Sequence, residues 1–402
     1  MRIGIVGPFN PLTIQDFILE PLKATNKTAS SVNNLVLSYL KAGHQVCIFT
    51  IDSDAKDTKL FKNDNITLYV IGGRTSFIFF NYFPSLQRLA RRIIPFIELE
   101  KDNLDVLHAH WCYQYALAAI PFANTMNVFC TIRDIAPVIF KNMILDWKPF
   151  HVLNKIYWAY KWKVFNYVLS CKEVHFIGNS EYTKNYFKAR YPDRDISLIY
   201  NSIDESKILD VPKSDNKEKV FISIAADVDD KRKNIFTLIK AFSLLKNRYS
   251  DAKLLIVGHY RKEQGVYNKS KKYGLLNGVY FVGQINYIEL LSVLDSACCM
   301  VHPALEETFG NTIIEAMARC IPVIGGNNSG AVPYILAEGK CGFVCDVFSE
   351  EDIYSMMLKV IEDKDKTKQV INNATLRLKE KYTNFVIGQQ HIDLYKQFLS
   401  YS

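Results

Sequence analysis

The sequence predicts an α/β fold built as two Rossmann-like domains, and three observations predict it. The chain has 402 residues, enough for two domains of ordinary size with a core in each. It opens as strand, helix and strand: Arg2 to Val6, Ser31 to Ala42 ending at Gly43, then Val46 to Thr50, the start of a Rossmann-like half. Further on, Cys298 to Leu336 repeats the pattern. It reads as an apolar strand to Val301, a loop with two carboxylates, a helix starting near Asn311, a strand from Ile321 to Ile324 and a glycine-rich turn. Such a loop lies at the carboxyl end of a parallel strand, where open α/β sheets bind ligands. A nucleotide is the ligand to expect there.

Composition narrows the class. Hydrophobic residues make up 49% and charged residues 22%, which describes a globular chain and not a disordered one. The opening MRIGIVGPF lacks the charged region and long apolar core of a signal peptide, and no apolar run reaches the roughly 18 residues that span a bilayer. A cytoplasmic protein is the expectation. The nine cysteines include no CxxC pair and sit mostly in apolar segments, which reads as buried free thiols. Cys341 and Cys345 stand close enough to share a metal, but no histidine cluster accompanies them, so no metal site is assigned. A net charge of +8 calls for an acidic partner. Nucleic acid is set aside, since no zinc finger, ribonucleoprotein motif or basic repeat occurs.

Taken in order, Asn65 to Ile71 gives another strand. Residues 76–97 then read as a basic amphipathic segment. Leu86, Leu89, Ala90, Ile93 and Ile97 share one helical face, with Arg88, Arg91 and Arg92 opposite. Such a segment can lie on an anionic membrane surface, or it can pack on its own sheet with a solvated arginine face. The aromatic run before it favours the membrane. Asp105 to His110 is a strand in which His108 and His110 are taken to alternate, so that only one faces the ligand side, and a satisfied structural histidine is the plain reading of either. Val128 to Asp134 follows. Phe150 to Leu169 alternates aromatics with lysines and reads as a helix facing membrane, acceptor or core. Val174 to Ser180 and Ile196 to Asp204 complete the first half, and the hinge is expected at SDNKEK, residues 214–219.

The second half opens with a strand from Val220 to Ala225. Further strands are Leu254 to Gly258 and Val279 to Gly283, with helices near Glu263 to Tyr273 and Tyr287 to Asp295, and a helical stretch runs from Glu350 to Tyr401. Between Glu307 and Glu315 lie Phe309, Gly310, Asn311 and Thr312, which lead into a helix whose free N–H groups and dipole favour a phosphate. Gly310 leaves room for a pyrophosphate. Glu315 could accept bonds from two ribose hydroxyls, and Glu307, nearer the strand, could hold those of a sugar. The plain alternative makes Glu306 and Glu307 helix-dipole residues and Glu315 solvated surface. That fits poorly with its apolar neighbours Ile313, Ile314, Ala316 and Met317.

The string HPALEETFGNTIIEAMARCIPVI resembles the E-x7-E signature of the group 1, family 4 glycosyltransferases. The resemblance implies the GT-B fold, two Rossmann-like domains facing a cleft. It implies an acceptor-binding domain at residues 1–204, a nucleotide-sugar domain at 205–385, and a C-terminal helix, 386–402, that returns to the first domain. It also implies a retaining, metal-independent enzyme without a cofactor, moving sugar from a UDP- or GDP-sugar to a lipid-linked or cell-envelope glycan. Glu307 would contact the transferred sugar and Glu315 the ribose, while Arg232 and Lys233 would grip the diphosphate. Asp227 and Asp229 form a DxD, but the family meets its donor phosphates without metal. Arg133 stands where many relatives have histidine; always cationic, it could stabilise phosphate charge or pin a hydroxyl beside His110 but not act as a base. Lys27, Thr28, Ala29 and Ser30 occupy the place of a paired-glycine loop, and Ala331 and Tyr334 replace a glycine and a glutamate. These departures make a catalytically silent sugar-nucleotide binder the rival reading, with a soluble acceptor as a further alternative.

Overall fold

The computed structural model describes residues 1–25, 29–74, 83, 85–143, 149–211 and 218–400. The chain divides into two compact units, one of Met1–Ser202 with Asn384–Ser402 and one of Ile203–Thr383.

The first unit is built on eight strands: β1 (Arg2–Val6), β2 (Gln45–Asp52), β3 (Lys59–Lys62), β4 (Ile66–Gly72), β5 (Val106–His110), β6 (Asn127–Ile132), β7 (Val174–Gly178) and β8 (Ile196–Leu198). Their order is β3-β4-β2-β1-β5-β6-β7-β8. Neighbours pair in parallel, except that β3 meets β4 antiparallel. The sequence explains this: β4, ITLYVIG, is buried at every position, as a parallel strand covered on both faces must be. β1 has β2 on one side and β5 on the other, so the carboxyl ends of β1 and β5 flank the crevice where such sheets take ligands.

The amphipathic segment resolves differently from the membrane reading. Its described helix is Leu86–Glu100, capped by Ser85, and most of the stretch before it lies outside the described residues. Leu86, Leu89, Ala90, Ile93 and Ile97 are buried in one core cluster with Phe49, Tyr69 and Ile71. A stripe that fills the core of its own domain is not available to lipid. Arg91 faces solvent, and Arg92 donates to the Gly72 carbonyl. No described helix is long and apolar enough to cross a membrane. In the Pro149–Ser170 helix, Val164, Phe165, Val168 and Leu169 are core, so its last turns pack inward.

Three helices make up the C-terminal stretch, Glu350–Glu362, Lys364–Lys381 and Asn384–Leu399. The last belongs to the first unit and packs against the Ser30–Lys41 helix. Gly388 permits this, since a Cβ there would stand 2.5 Å from Ser38 Oγ.

The second unit carries β9 (Val220–Asp227), β10 (Lys253–His259), β11 (Val279–Gly283), β12 (Cys299–His302), β13 (Val323–Gly326) and β14 (Phe343–Cys345), in the order β11-β10-β9-β12-β13-β14 and all parallel. Here the order reverses between β9 and β12. The hinge expected at 214–219 falls largely outside the described residues, and the division between units comes at Ser202 and Ile203.

Candidate functional site

Two loops leave the carboxyl ends of β9 and β12, the reversal point of the second sheet. The first turns through a short 3-10 segment, Lys231–Lys233, where Asp230 accepts the backbone N–H of Arg232. Asn234 then takes a left-handed conformation, φ 54°, and starts the Ile235–Arg248 helix. The second loop leaves β12 at His302 and ends at Gly310, the cap of the Asn311–Ala318 helix. A backbone bond of 2.7 Å from Leu305 N–H to the Arg232 carbonyl joins the loops, and the Glu307 carbonyl accepts from Ala331 N–H at 2.8 Å.

On this frame Lys233 Nζ donates to Glu307 Oε2 at 2.7 Å, and His302 Nε2 stands 3.5 Å from the same oxygen. Burial alone would raise the Glu307 carboxyl, but the Lys233 ammonium and His302 outweigh it and hold the group well below the usual carboxylate range. Arg232 pairs with Asp230 through Nη2 at 2.6 Å and Nε at 3.2 Å. Gly310 has φ 93°, and a Cβ there would meet Ile313 Cδ1 at 2.9 Å. Only glycine combines that backbone with that space, and no side chain caps the helix end it begins. Thr312 Oγ1 lies 3.5 Å from His302 Nδ1. Asn311 is half-buried in the first turn.

Glu315 is 9% exposed. Burial, with no other cause, pushes its carboxyl up to about 8. Among the described residues the group thus sits out of water without the cation that Glu307 has, and it keeps its proton at neutral pH. Phe309 does not serve as a stacking face, because its ring is 2% exposed and packs edge-on to Tyr382, 5.9 Å between centroids. The DxD pair has structural work: Asp227 accepts from Asp229 N–H, and Asp229 accepts from the N–H groups of Arg261 and Val266. Among the described residues no group of three or more histidine, cysteine or acidic side chains could hold a metal. None of the nine cysteines, all among the described residues, is in a disulfide.

The first unit gathers the other sequence-predicted residues at the ends of β5 and β6. His108 and His110 do not alternate. Positions two apart on a strand share a face, and the two rings lie 4.1 Å apart. His108 is satisfied on both nitrogens, by Tyr395 Oη at 2.6 Å and Thr131 Oγ1 at 2.7 Å. His110 accepts at Nδ1 from Arg133 Nε at 3.2 Å and Nη2 at 3.0 Å. Arg133 also donates to Asn201 Oδ1 at 2.6 Å, and its guanidinium lies 5.6 Å from the Trp111 ring centroid. Burial lowers Arg133 to about 10, still a cation at neutral pH. Lys27 and Thr28 lie outside the described residues, while Ala29 is buried and Ser30 begins a helix. Sequence reasoning missed His302, Asn201 and the Tyr39–Tyr395–His108 chain. For His302 the signal was the histidine closing a strand just before the acidic loop; for Tyr395 it was a fourth-residue spacing from His391 on an amphipathic helix.

Comparison with known proteins identifies the family and the fold. The profile described as "Glycosyltransferase Family 4" matches residues 28–207, and that of "Glycosyl transferases group 1" matches residues 204–377. N-acetyl-alpha-D-glucosaminyl L-malate synthase of Bacillus anthracis is 23% identical over 313 residues, 75% of this chain and 76% of that one. The O-antigen chain mannosyltransferase of Salmonella typhimurium is 28% identical over 225 residues, 53% of this chain and 60% of that one. Among solved structures, sucrose-phosphate synthase from Thermosynechococcus elongatus superposes with a TM-score of 0.76 at 17% identity, covering 100% of both chains. Anabaena HepE in complex with UDP and glucose has a TM-score of 0.65 at 17% identity, covering 98% of this chain and 99% of that one. With both profiles matched in succession and the fold shared, the chain belongs to the group 1, family 4 glycosyltransferases of GT-B fold.

Proposed function

We propose that the protein is a retaining, metal-independent glycosyltransferase. It moves a sugar from a UDP- or GDP-sugar to a hydroxyl of a lipid-linked or cell-envelope glycan on the cytoplasmic side. The observation that carries the reading is Glu315, a carboxyl group buried with no cation beside it among the described residues, on the helix that Gly310 opens beside the Lys233–Glu307 pair. A ribose supplies the two hydroxyl donors that such a group lacks. The diphosphate meets the N-terminal end of the Asn311–Ala318 helix and the ammonium of Lys233, with Arg232 behind it. The sugar then displaces Lys233 from part of Glu307, whose oxygens accept its hydroxyls. In the reaction the departing phosphate takes the acceptor's proton, so the protein contributes position and stabilisation of negative charge. In the first unit, Arg133 and His110 are the residues proposed to act in transfer.

The relatives support the substrate classes. HepE is a structure with UDP and glucose, and the Salmonella relative is named for O-antigen. The malate-linked relative, matched over 75% of this chain, favours a second reading, a small soluble acceptor. Attachment to a bilayer, under the first reading, draws on net charge and the solvent-facing Arg91, because the apolar stripe of the Leu86–Glu100 helix is core. The test is to incubate the protein with UDP- and GDP-sugars, with and without lipid extract, and measure nucleotide released and sugar moved to the organic phase. Release with one donor that Glu307→Gln abolishes supports sugar transfer, and label in lipid supports the first acceptor. No release under any combination refutes the enzyme and leaves the silent binder.

A further inference from the structure

The end of β5 holds a histidine with one nitrogen spoken for and one not. Arginine has only donors, so the nitrogen of His110 that faces Arg133 Nε and Nη2 must present a lone pair. In a neutral ring the proton then sits on Nε2. That atom is buried and, among the described residues, has no hydrogen-bond partner. Next to it is Gly7, the residue after β1: a Cβ on Gly7 would stand 3.3 Å from His110 Cδ2, the carbon bonded to Nε2. The unpartnered N–H therefore borders the β1 and β5 ends, the reversal point of the first sheet, where a ligand is expected.

We propose that Arg133 fixes His110 as the Nε2–H tautomer, which makes His110 a standing hydrogen-bond donor to an oxygen of the substrate in that crevice and bars it from taking the acceptor's proton. The naming of a substrate oxygen rests on the sugar-transfer reading; the tautomer does not. Charge in the surroundings agrees. His110 is buried together with His108, His391 and Arg133, with no acidic group among the causes that act on it, and a second proton there would meet a cation and two further imidazoles. A general base needs a free lone pair directed at the substrate; here the lone pair is directed at Arg133. His110 is thus a binding group and Arg133 its positioning residue.

The full chain labelled with ¹⁵N-histidine tests the first half without any substrate. The His110 signals are identified by their loss in His110→Gln and followed from pH 5.5 to 8.5. Long-range proton–nitrogen correlations are expected to show Nε2 protonated and Nδ1 bare throughout. In Arg133→Met the donors facing Nδ1 are gone, and the two ring nitrogens are expected to share the proton, their signals moving toward each other. A proton on Nδ1, or titration of His110 in the unmodified protein, overturns the proposal whether or not Arg133→Met folds. Sugar-nucleotide turnover tests the second half. His110→Gln, whose amide donates from a similar place, is expected to keep activity within about tenfold, while His110→Ala loses about a hundredfold in kcat. Equal losses in the two variants contradict a donor role. A protein inactive with every sugar nucleotide still yields the tautomer, so failure of the sugar-transfer reading and failure of this one are separable.

Discussion

Lys233 Nζ and Glu307 Oε2 stand 2.7 Å apart, so the cation assigned to the diphosphate and the carboxylate assigned to the sugar hold each other before a substrate arrives. The pair lies where the β9 and β12 loops meet, and both side chains are about one-fifth exposed, 23% and 18%. Removing one member leaves the other half-buried and charged. Lys233→Met is therefore expected to lower the melting temperature by a few degrees and raise the donor KM. Adding Glu307→Gln is expected to restore most of the melting temperature but none of the activity. Thermal unfolding of the two single variants and the double variant checks this as a coupling cycle; strictly additive shifts would remove the pair from the account.

Glu315 gives a stability that depends on pH in the unusual direction. Its carboxyl is pushed from 4.5 in the free side chain to about 8 in the fold. Between those values the native state holds a proton that the unfolded chain has released. The group's contribution is thus complete at low pH and is lost as pH rises, at about 1.4 kcal/mol per pH step. Glu315→Gln is expected to gain stability relative to the parent at pH 8 to 9 and to lose the advantage near pH 5. Melting curves across that range show it, and parallel profiles for the two proteins would contradict it.

Nucleotide binding should then move a proton. Two ribose hydroxyls stabilise the ionised form of Glu315, so a proton is released on binding near pH 7. Calorimetry in two buffers of different ionisation enthalpy is expected to give different apparent enthalpies for the parent protein and equal ones for Glu315→Gln.

The first unit predicts acid sensitivity. His391 is lowered to about 3 by burial and by Arg133, and burial also carries His108 and His110 well below the ordinary value. Unfolded, each takes a proton near pH 6.5; folded, none does until far lower. Stability from this cluster is whole above pH 6.5 and lost as pH falls. Tyr395 ties it together, bonding Tyr39 Oη at 2.8 Å and His108 Nδ1 at 2.6 Å. Tyr395→Phe leaves two buried polar groups short of a partner and is expected to cost about 1–3 kcal/mol. The loss should appear as faster amide exchange in the Asn384–Leu399 helix, and unchanged exchange there would separate the helix from the cluster.

Much of this was legible in the sequence where local chemistry decides. The strand-loop-glycine-helix order around Gly310 needs only short-range rules, and β1 and β11 have the bounds that their apolar runs suggest. What was not legible depends on partners far along the chain. The stripe of Leu86, Leu89, Ala90, Ile93 and Ile97 looks the same whether it meets lipid or Phe49 and Tyr69. Phe309 reads as a candidate ligand contact until Tyr382 covers it. The histidines of β5 were misread for a different reason, an error of strand geometry; their partners Arg133 and Tyr395 are brought in by the β6 exit and the last helix, and Asn201, which accepts from Arg133, by the β8 exit.

The most direct measurement compares a nucleoside diphosphate with its 2′-deoxy form, using UDP and GDP, on the parent protein and Glu315→Gln. The account predicts that the nucleotide which binds does so at least about tenfold more tightly with both ribose hydroxyls than with one, a difference of about 1.4 kcal/mol, and that Glu315→Gln erases most of that gap. A parent protein that binds the ribose and deoxyribose forms equally, or neither nucleotide at all, would contradict it.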